Sequence, residues 1–359
     1  MRDGADAYAA PHGHPQARDR DESRPATSGR RWRMMKPLPP EHPMLAPVQL
    51  RRDLIADGYT DRAIARLVDA KVLKKLRHGA YVAHDAWEAL DHEGRHGLTA
   101  RAVVKAGKTD LVLSHVSSLP DWGAPMWGLD LSVVHVTRTD HKAGRREAGV
   151  KQHRGLLMPD DTTARNGVRI TSPERTLIEL TTMADLEQCL VVWNHFVHKK
   201  LTTIDRVNSR YRALSTGPRS SMEHWPDTLT TELLLRLADG RIETVGESRT
   251  QCLFWKQRLP KPVPQYEMRD ADGNFLGRVD FAWPEHKVFL EFDGRVKYEK
   301  YLREGETAAD AVIREKRREE RICERTGWRC IRITWADLAY PERTAMRIRN
   351  FLFASTATA

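Results

Sequence analysis

The sequence predicts a multi-domain α/β (α+β) protein, and three observations carry that expectation. Helix, turn, helix and hairpin signals crowd into residues 47–82. Strand-like and helix-like runs then alternate over 95–210, and two adjoining acid-bearing strands interrupt a helix-rich stretch beyond 225. A chain of 359 residues suffices for two or three cores of ordinary size. The expected divisions are a disordered extension over 1–43, a first domain over 44–90 and a middle domain over 91–214. A linker over 215–224, a C-terminal domain over 225–353 and a tail over 354–359 complete the chain.

Each element has a local reason. Residues 1–43 are polar and rich in Gly, Pro, Asp and Arg, so they lack the apolar surface that would offset ordering entropy. Met34, Met35 and Met44 leave open a later start. Val48, Leu50, Leu54 and Ile55 predict a short helix ending at Gly58. Thr60 caps a second helix that buries Ala63, Ile64, Leu67 and Val68. Two apolar runs bracket His78-Gly79 and predict a hairpin over 71–82. Leu111-Val112-Leu113 and residues 131–136 are strand-like, and Ser172-Pro173-Glu174 opens a helix that runs to Leu180. Residues 215–221 read as a linker. The C-terminal part reads as helices over 229–238 and 247–257 and strands over 277–283 and 287–293. A charged helix over 310–326, a strand over 329–335 and a closing helix follow.

Lys and Arg number 59 against 49 Asp and Glu, a formal +10 that favours a polyanion partner. No run approaches the ~18 apolar residues of a membrane helix, and no apolar core follows a basic N-terminus. Cys189, Cys252, Cys323 and Cys330 are far apart without CxxC spacing, which suits a reducing cytoplasm and neither zinc nor a disulfide scaffold. The fifteen His residues form no HExxH or HxH pattern, so metal ligation by His is not expected. His115 beside Ser114 and Ser117 lacks an accompanying acid or oxyanion motif and reads as structural. Trp122, Trp127, Trp193 and Trp225 read as core anchors.

The chemistry concentrates in Arg278-Val279-Asp280-Phe281-Ala282-Trp283 and Lys287-Val288-Phe289-Leu290-Glu291-Phe292-Asp293-Gly294. Side chains alternate along a strand, so Val279, Phe281 and Trp283 share one face while Asp280 points the other way. Glu291 and Asp293 likewise lie opposite Val288, Leu290 and Phe292. The short turn Pro284-Glu285-His286 makes the strands neighbours, and three carboxylates converge. Such a cluster repels itself unless a cation such as Mg²⁺ or Mn²⁺ compensates it, and a metal so held activates water for phosphodiester hydrolysis. The alternative is an ordinary hairpin with its acidic face in water. Arg314, Arg318, Arg321 and Arg325 recur along one side of the charged helix, either for phosphate contact or as a solvated, ion-paired face. Near the N-terminus, Arg62, Arg66 and Lys71 are placed on the second helix, and Lys74, Lys75, Arg77 and His78 around the hairpin. These suit contacts with DNA phosphates, or the basic edges of a small packing module.

Two resemblances follow from these residues. Asp280, then Glu291-Phe292-Asp293-Gly294, then Gly327-Trp328-Arg329-Cys330-Ile331-Arg332-Ile333 resemble the PD-(D/E)XK nuclease superfamily, in the branch related to very-short-patch-repair endonucleases. This implies a restriction-endonuclease-like α/β fold over 225–353 and a Mg²⁺- or Mn²⁺-dependent endodeoxyribonuclease site. Asp280 and Glu291 would bind the metal together with Glu247, with Glu232 as the fallback, and Asp293 would line the site. Asp293 stands where the family carries its lysine, so Lys297 or Lys316 would supply the amine, or the fold is kept for binding alone. Residues 47–200 are similar to AbiEi-type antitoxins. The segment from Gly58-Tyr59-Thr60 to Gly79-Ala80-Tyr81-Val82 matches their winged helix-turn-helix, and Ser114-His115-Val116-Ser117-Ser118 and Thr171-Ser172-Pro173-Glu174-Arg175-Thr176 match the domain that follows. That resemblance implies duplex DNA and a nucleotidyltransferase-type toxin as partners. It also implies a setting in toxin–antitoxin regulation, whereas a DNA-binding nuclease suits bacterial or phage defence, or repair.

Overall fold

A computed structural model describes residues 36–140, 144, 146–147, 149–216, 228–294 and 307–354. Lys297, Trp225 and most of the expected linker lie outside the described residues, as do 1–35 and 355–359. The architecture is mixed α/β, with three sheets that each carry their own apolar core. No helix among the described residues is long and apolar enough to cross a membrane.

Residues 36–45 are docked, contrary to the disorder expected as far as 43. The Leu38 amide donates to Asn166 Oδ1 (3.0 Å), and Arg165 donates to the Lys36 carbonyl (3.2 Å). His42 Nδ1 accepts the Met44 amide at the head of a 3-10 turn, and Met44 is buried. A composition average over residues 1–43 hides the apolar anchor Leu38, and the second anchor, Met44, lies just past the expected boundary. A chain starting at Met44 should therefore melt roughly 2–6 °C below one starting at Lys36, since a few kcal/mol shifts the midpoint by that order. Equal midpoints in differential scanning calorimetry would refute the docking.

The first sheet has the order β1 (Gln49–Leu50), β3 (Ala80–Ala83), β2 (Leu73–Arg77), all antiparallel, and packs with α1 (Arg51–Ala56) and α2 (Asp61–Asp69). Thr60 Oγ1 accepts the Ala63 amide, so the expected cap of α2 is present. Lys71, expected on α2, lies beyond its end in a left-handed turn (φ 54°). Two helices follow, α3 (His84–Glu88) and α4 (His92–Ala106), the latter capped by Asp91.

The middle sheet contains β4 (Leu111–Leu113), β5 (Val134–Arg138), β6 (Arg146–Glu147), β7 (Val150–Arg154), β8 (Thr162–Arg165) and β9 (Val168–Thr171). Their order is β6-β7-β5-β4-β9-β8. The strand expected to begin at 131 begins at Val134, because Asp130 Oδ1 holds the Ser132 amide in a turn. Between β4 and β5 a 3-10 turn (His115–Ser118) leads into the one-turn helix α5 (Leu119–Trp122). Helices α6 (Pro173–Leu180), α7 (Leu186–His198) and α8 (Ile204–Thr216) complete this region, and Ser172 caps α6 as expected. Trp122 and Trp193 anchor its core as expected, whereas Trp127 is only half-buried.

Helix α9 (Thr228–Leu237), placed by sequence in the C-terminal domain, puts Leu234 into the middle core. Cys252 of α10 (Val245–Lys256) joins the same core. The C-terminal sheet has the order β10 (Val263–Arg269), β11 (Phe275–Trp283), β12 (Val288–Asp293), β13 (Arg329–Thr334). The β12–β13 pair is parallel and is connected through α11 (Ala308–Thr326). Helices α12 (Trp335–Leu338) and α13 (Pro341–Phe353) close the chain. The sequence does not announce β10, because Pro260, Pro262 and Pro264 read as a turn. An edge strand tolerates prolines that a central strand would not.

Candidate active site

Strand alternation places the acids. Phe281 and Trp283 pack with Val288, Leu290 and Phe292 in one core, whereas Ala282 and Phe289 face Ile322 of α11. Asp280, Glu291 and Asp293 fall on the α11 side, so a helix covers the face and water alone does not. Val279 departs from the expected alternation and packs with Ala282 and Phe289. The β11–β12 ladder ends at the Phe281–Leu290 pair, and Asp280 Oδ2 accepts the Phe292 amide there (2.8 Å) in place of a backbone carbonyl.

A cation does compensate the acids, and the protein itself supplies it. Arg318 of α11 donates to Glu291 Oε1 (2.7 Å) and to the Arg278 carbonyl (2.7 Å), and it is also paired with Glu315. Burial, and next the neighbouring Asp280, push the Glu291 carboxyl above the usual carboxylate range, with Arg318 opposing them. Arg332 donates to Glu319 (2.5 Å) and lies 4.0 Å from Asp293.

Glu247 reaches the same pocket from the first turn of α10. It is 1% exposed, and its carboxylate accepts from the Thr244 hydroxyl (2.7 Å), the Glu243 amide (3.1 Å) and Gln265 (2.8 Å). Thr244 Oγ1 in turn accepts the Glu247 amide as the N-cap of α10, so the pair Thr244-x-x-Glu247 fixes the first turn from both sides. Gly246 is required beside it, since a Cβ at that position would stand 2.0 Å from the Phe292 ring. The fallback, Glu232, is exposed and does not line the pocket. Lys316 points to solvent and lies 4.0 Å from Glu320, so it does not supply the amine, while Lys297 lies outside the described residues.

The result is one pocket of about 330 Å³ that gathers Glu247, Asp280, Glu291 and Asp293 with Arg314 and Arg318. Its lining holds six carboxylates against four guanidiniums, so acids outnumber the internal cations that face them. The carboxylates do not close into a ready-made triad. Among the described residues, the one group of three or more potential ligands within 4.8 Å is His115, His135 and His153. Reasoning from sequence missed Arg318 as the partner of Glu291 and Gln265 as the support of Glu247. Both depend on contacts that cross sheet and helix.

The basic residues divide between two places. Arg62, Arg66, Lys71 and Lys75 are exposed and form no ion pair among the described residues, while Lys74 and Arg77 are half-buried, Lys74 over the Trp87 ring. On α11, Arg314 lines the pocket, Arg318 is engaged by Glu291, and the exposed Arg321 donates to the Leu276 carbonyl (3.1 Å).

No family model matches the chain. It is similar to uncharacterized proteins of two strains of Mycobacterium tuberculosis, 32% identical over 120 residues. The match covers 33% of this chain and 41% of each relative. The chain thus spans about two fifths of the length of the curated relatives it matches.

Proposed function

We propose that this protein is a cytoplasmic DNA-binding protein whose C-terminal domain is a Mg²⁺- or Mn²⁺-dependent endonuclease, acting in bacterial or phage defence. The observation that carries the reading is the shared pocket of Asp280, Glu291, Asp293 and Glu247, with Arg314 and Arg318 on the helix above it. In this reading Asp280 and Glu291 hold the ion, and Glu247 reaches it by yielding one of its hydrogen bonds. Arg314 meets a phosphate, and the metal supplies the activated water. Glu291 would have to exchange its pair with Arg318 for the ion. Purified protein should nick plasmid DNA with Mn²⁺, and Asp280→Asn should abolish nicking while leaving DNA affinity within about twofold. Wild-type protein that neither nicks DNA nor binds Mn²⁺ would sink this reading.

The Arg318–Glu291 pair supports a second reading, a regulator of the AbiEi antitoxin type in which the guanidinium permanently takes the place of the metal. Its partners would be operator DNA and a nucleotidyltransferase-type toxin. Both readings assign duplex binding to α2 and the hairpin as a winged helix. Arg62→Ala with Arg66→Ala should then lower the slope of log affinity against log salt by nearly two, about 0.9 for each lost phosphate contact. An unchanged slope in fluorescence anisotropy would place DNA elsewhere on the protein.

A further inference from the structure

The middle domain gathers three imidazoles that no spacing pattern links. His115 sits in the 3-10 turn after β4, His135 on β5 and His153 on β7, and their ligand nitrogens all lie within 4.8 Å of one another. His135 Nδ1 faces His153 Nε2 at 2.9 Å, and the His115 and His153 rings stack with centroids 3.7 Å apart. Only one of two facing nitrogens carries a proton in the neutral pair, so the other already presents a lone pair inward.

Surrounding groups hold the rings in place. The His115 backbone adopts φ 53°, a region that side-chain-bearing residues rarely enter. Its amide donates to Glu179 Oε2 (3.1 Å), which also lies 3.6 Å from His115 Nδ1. Glu179 is in turn fixed by Arg175 Nε (2.8 Å). Thr137 donates to Ser114 Oγ (2.9 Å), which lies 3.0 Å from His115 Nδ1. An acid thus accompanies Ser114 and His115 after all, but Ser114 is fully buried and out of reach of a substrate. His115 and His135 are buried as well, whereas His153 is half-buried and leaves one approach.

We propose that His115, His135 and His153 bind one divalent transition-metal ion of the zinc class, which braces the 3-10 turn against β5 and β7. Three imidazoles without a thiolate suit Zn²⁺, Ni²⁺ or Cu²⁺ and exclude Mg²⁺, which takes oxygen ligands. Tetrahedral ligation at 2.0–2.1 Å sets ligand nitrogens about 3.3 Å apart, so His115 and His153 must turn out of their stack for the trio to converge on the ion. Solvent provides the fourth ligand past His153.

The test uses the full chain stripped with chelator and titrated with Zn²⁺ by calorimetry and with Co²⁺ by visible absorption. The tightest equivalent of Zn²⁺ should bind wild type and Asp280→Asn with affinities within threefold, apart from any weaker equivalent held by the acidic pocket. The affinity should fall at least tenfold in His153→Gln and in His135→Gln, and Co²⁺ should give the intense bands of a tetrahedral site. Absence of Zn²⁺ binding by wild type, or binding unmoved in both His variants, overturns the proposal. So does binding lost in Asp280→Asn alone. Should a His variant fail to fold, the wild-type Co²⁺ spectrum decides, and weak octahedral bands overturn the assignment.

Discussion

Replacing Arg318 by Ala is expected to destabilise the C-terminal domain by roughly 2 kcal/mol, because Glu291 loses its guanidinium in a partly dry pocket and must take up a proton, while the more exposed Glu315 turns to water. Removing one partner of a buried pair costs more than the pair itself contributes, since the remaining charge loses both water and counterion. The double change Arg318→Met with Glu291→Gln should recover most of that loss by deleting both charges and keeping the volume. Urea unfolding followed by tryptophan fluorescence reads both effects, Trp283 and Trp328 lying in this domain. A single variant as stable as wild type would show that solvent already screens the pair. Divalent metal should also separate the two functional readings. A nuclease pocket freed of its internal cation should bind Mn²⁺ more tightly in Arg318→Ala, whereas a pocket without metal chemistry should bind none in either form.

The second large effect belongs to Gly246. Its missing Cβ lets the first turn of α10 lie against Phe292, where an added methyl would stand 2.0, 2.4 and 2.6 Å from three ring carbons. Phe292 cannot step aside. It is 4% exposed, and the Trp335 ring meets it edge-on at 4.9 Å. Gly246→Ala should therefore cost about 3 kcal/mol through overpacking, at the upper end of such substitutions. The same displacement would draw Glu247 away from Gln265 and the pocket. Phe292→Leu, combined with Gly246→Ala, removes the nearest ring atoms and should restore part of the stability. Equal unfolding midpoints for wild type and Gly246→Ala would disprove the close packing of α10 on β12.

The local elements were legible because their causes are local. Thr60 and Ser172 cap their helices, and the period-two runs around Asp280 and Glu291 form adjoining strands. Where propensity and context disagreed, context decided. Pro260, Pro262 and Pro264 conceal β10, which survives as an edge strand, and Asp130 delays the start of β5. Leu38 is too isolated to offset the polar average of residues 1–43, yet it joins Met44 in a core.

By itself the sequence determined the α/β class, most element positions and the placement of Asp280, Glu291 and Asp293 on one side of adjoining strands, since strand alternation and a short turn follow from chain geometry alone. Only the tertiary structure decided what those acids face. Arg318 lies 27 residues from Glu291, Gln265 lies 18 from Glu247, and His153 lies 38 beyond His115, so each meeting depends on how helix and sheet pack. Periodicity fixes the direction of a side chain within its own element. The partner at the end of that direction is set by burial across the whole domain, where desolvation decides which charges and rings must meet.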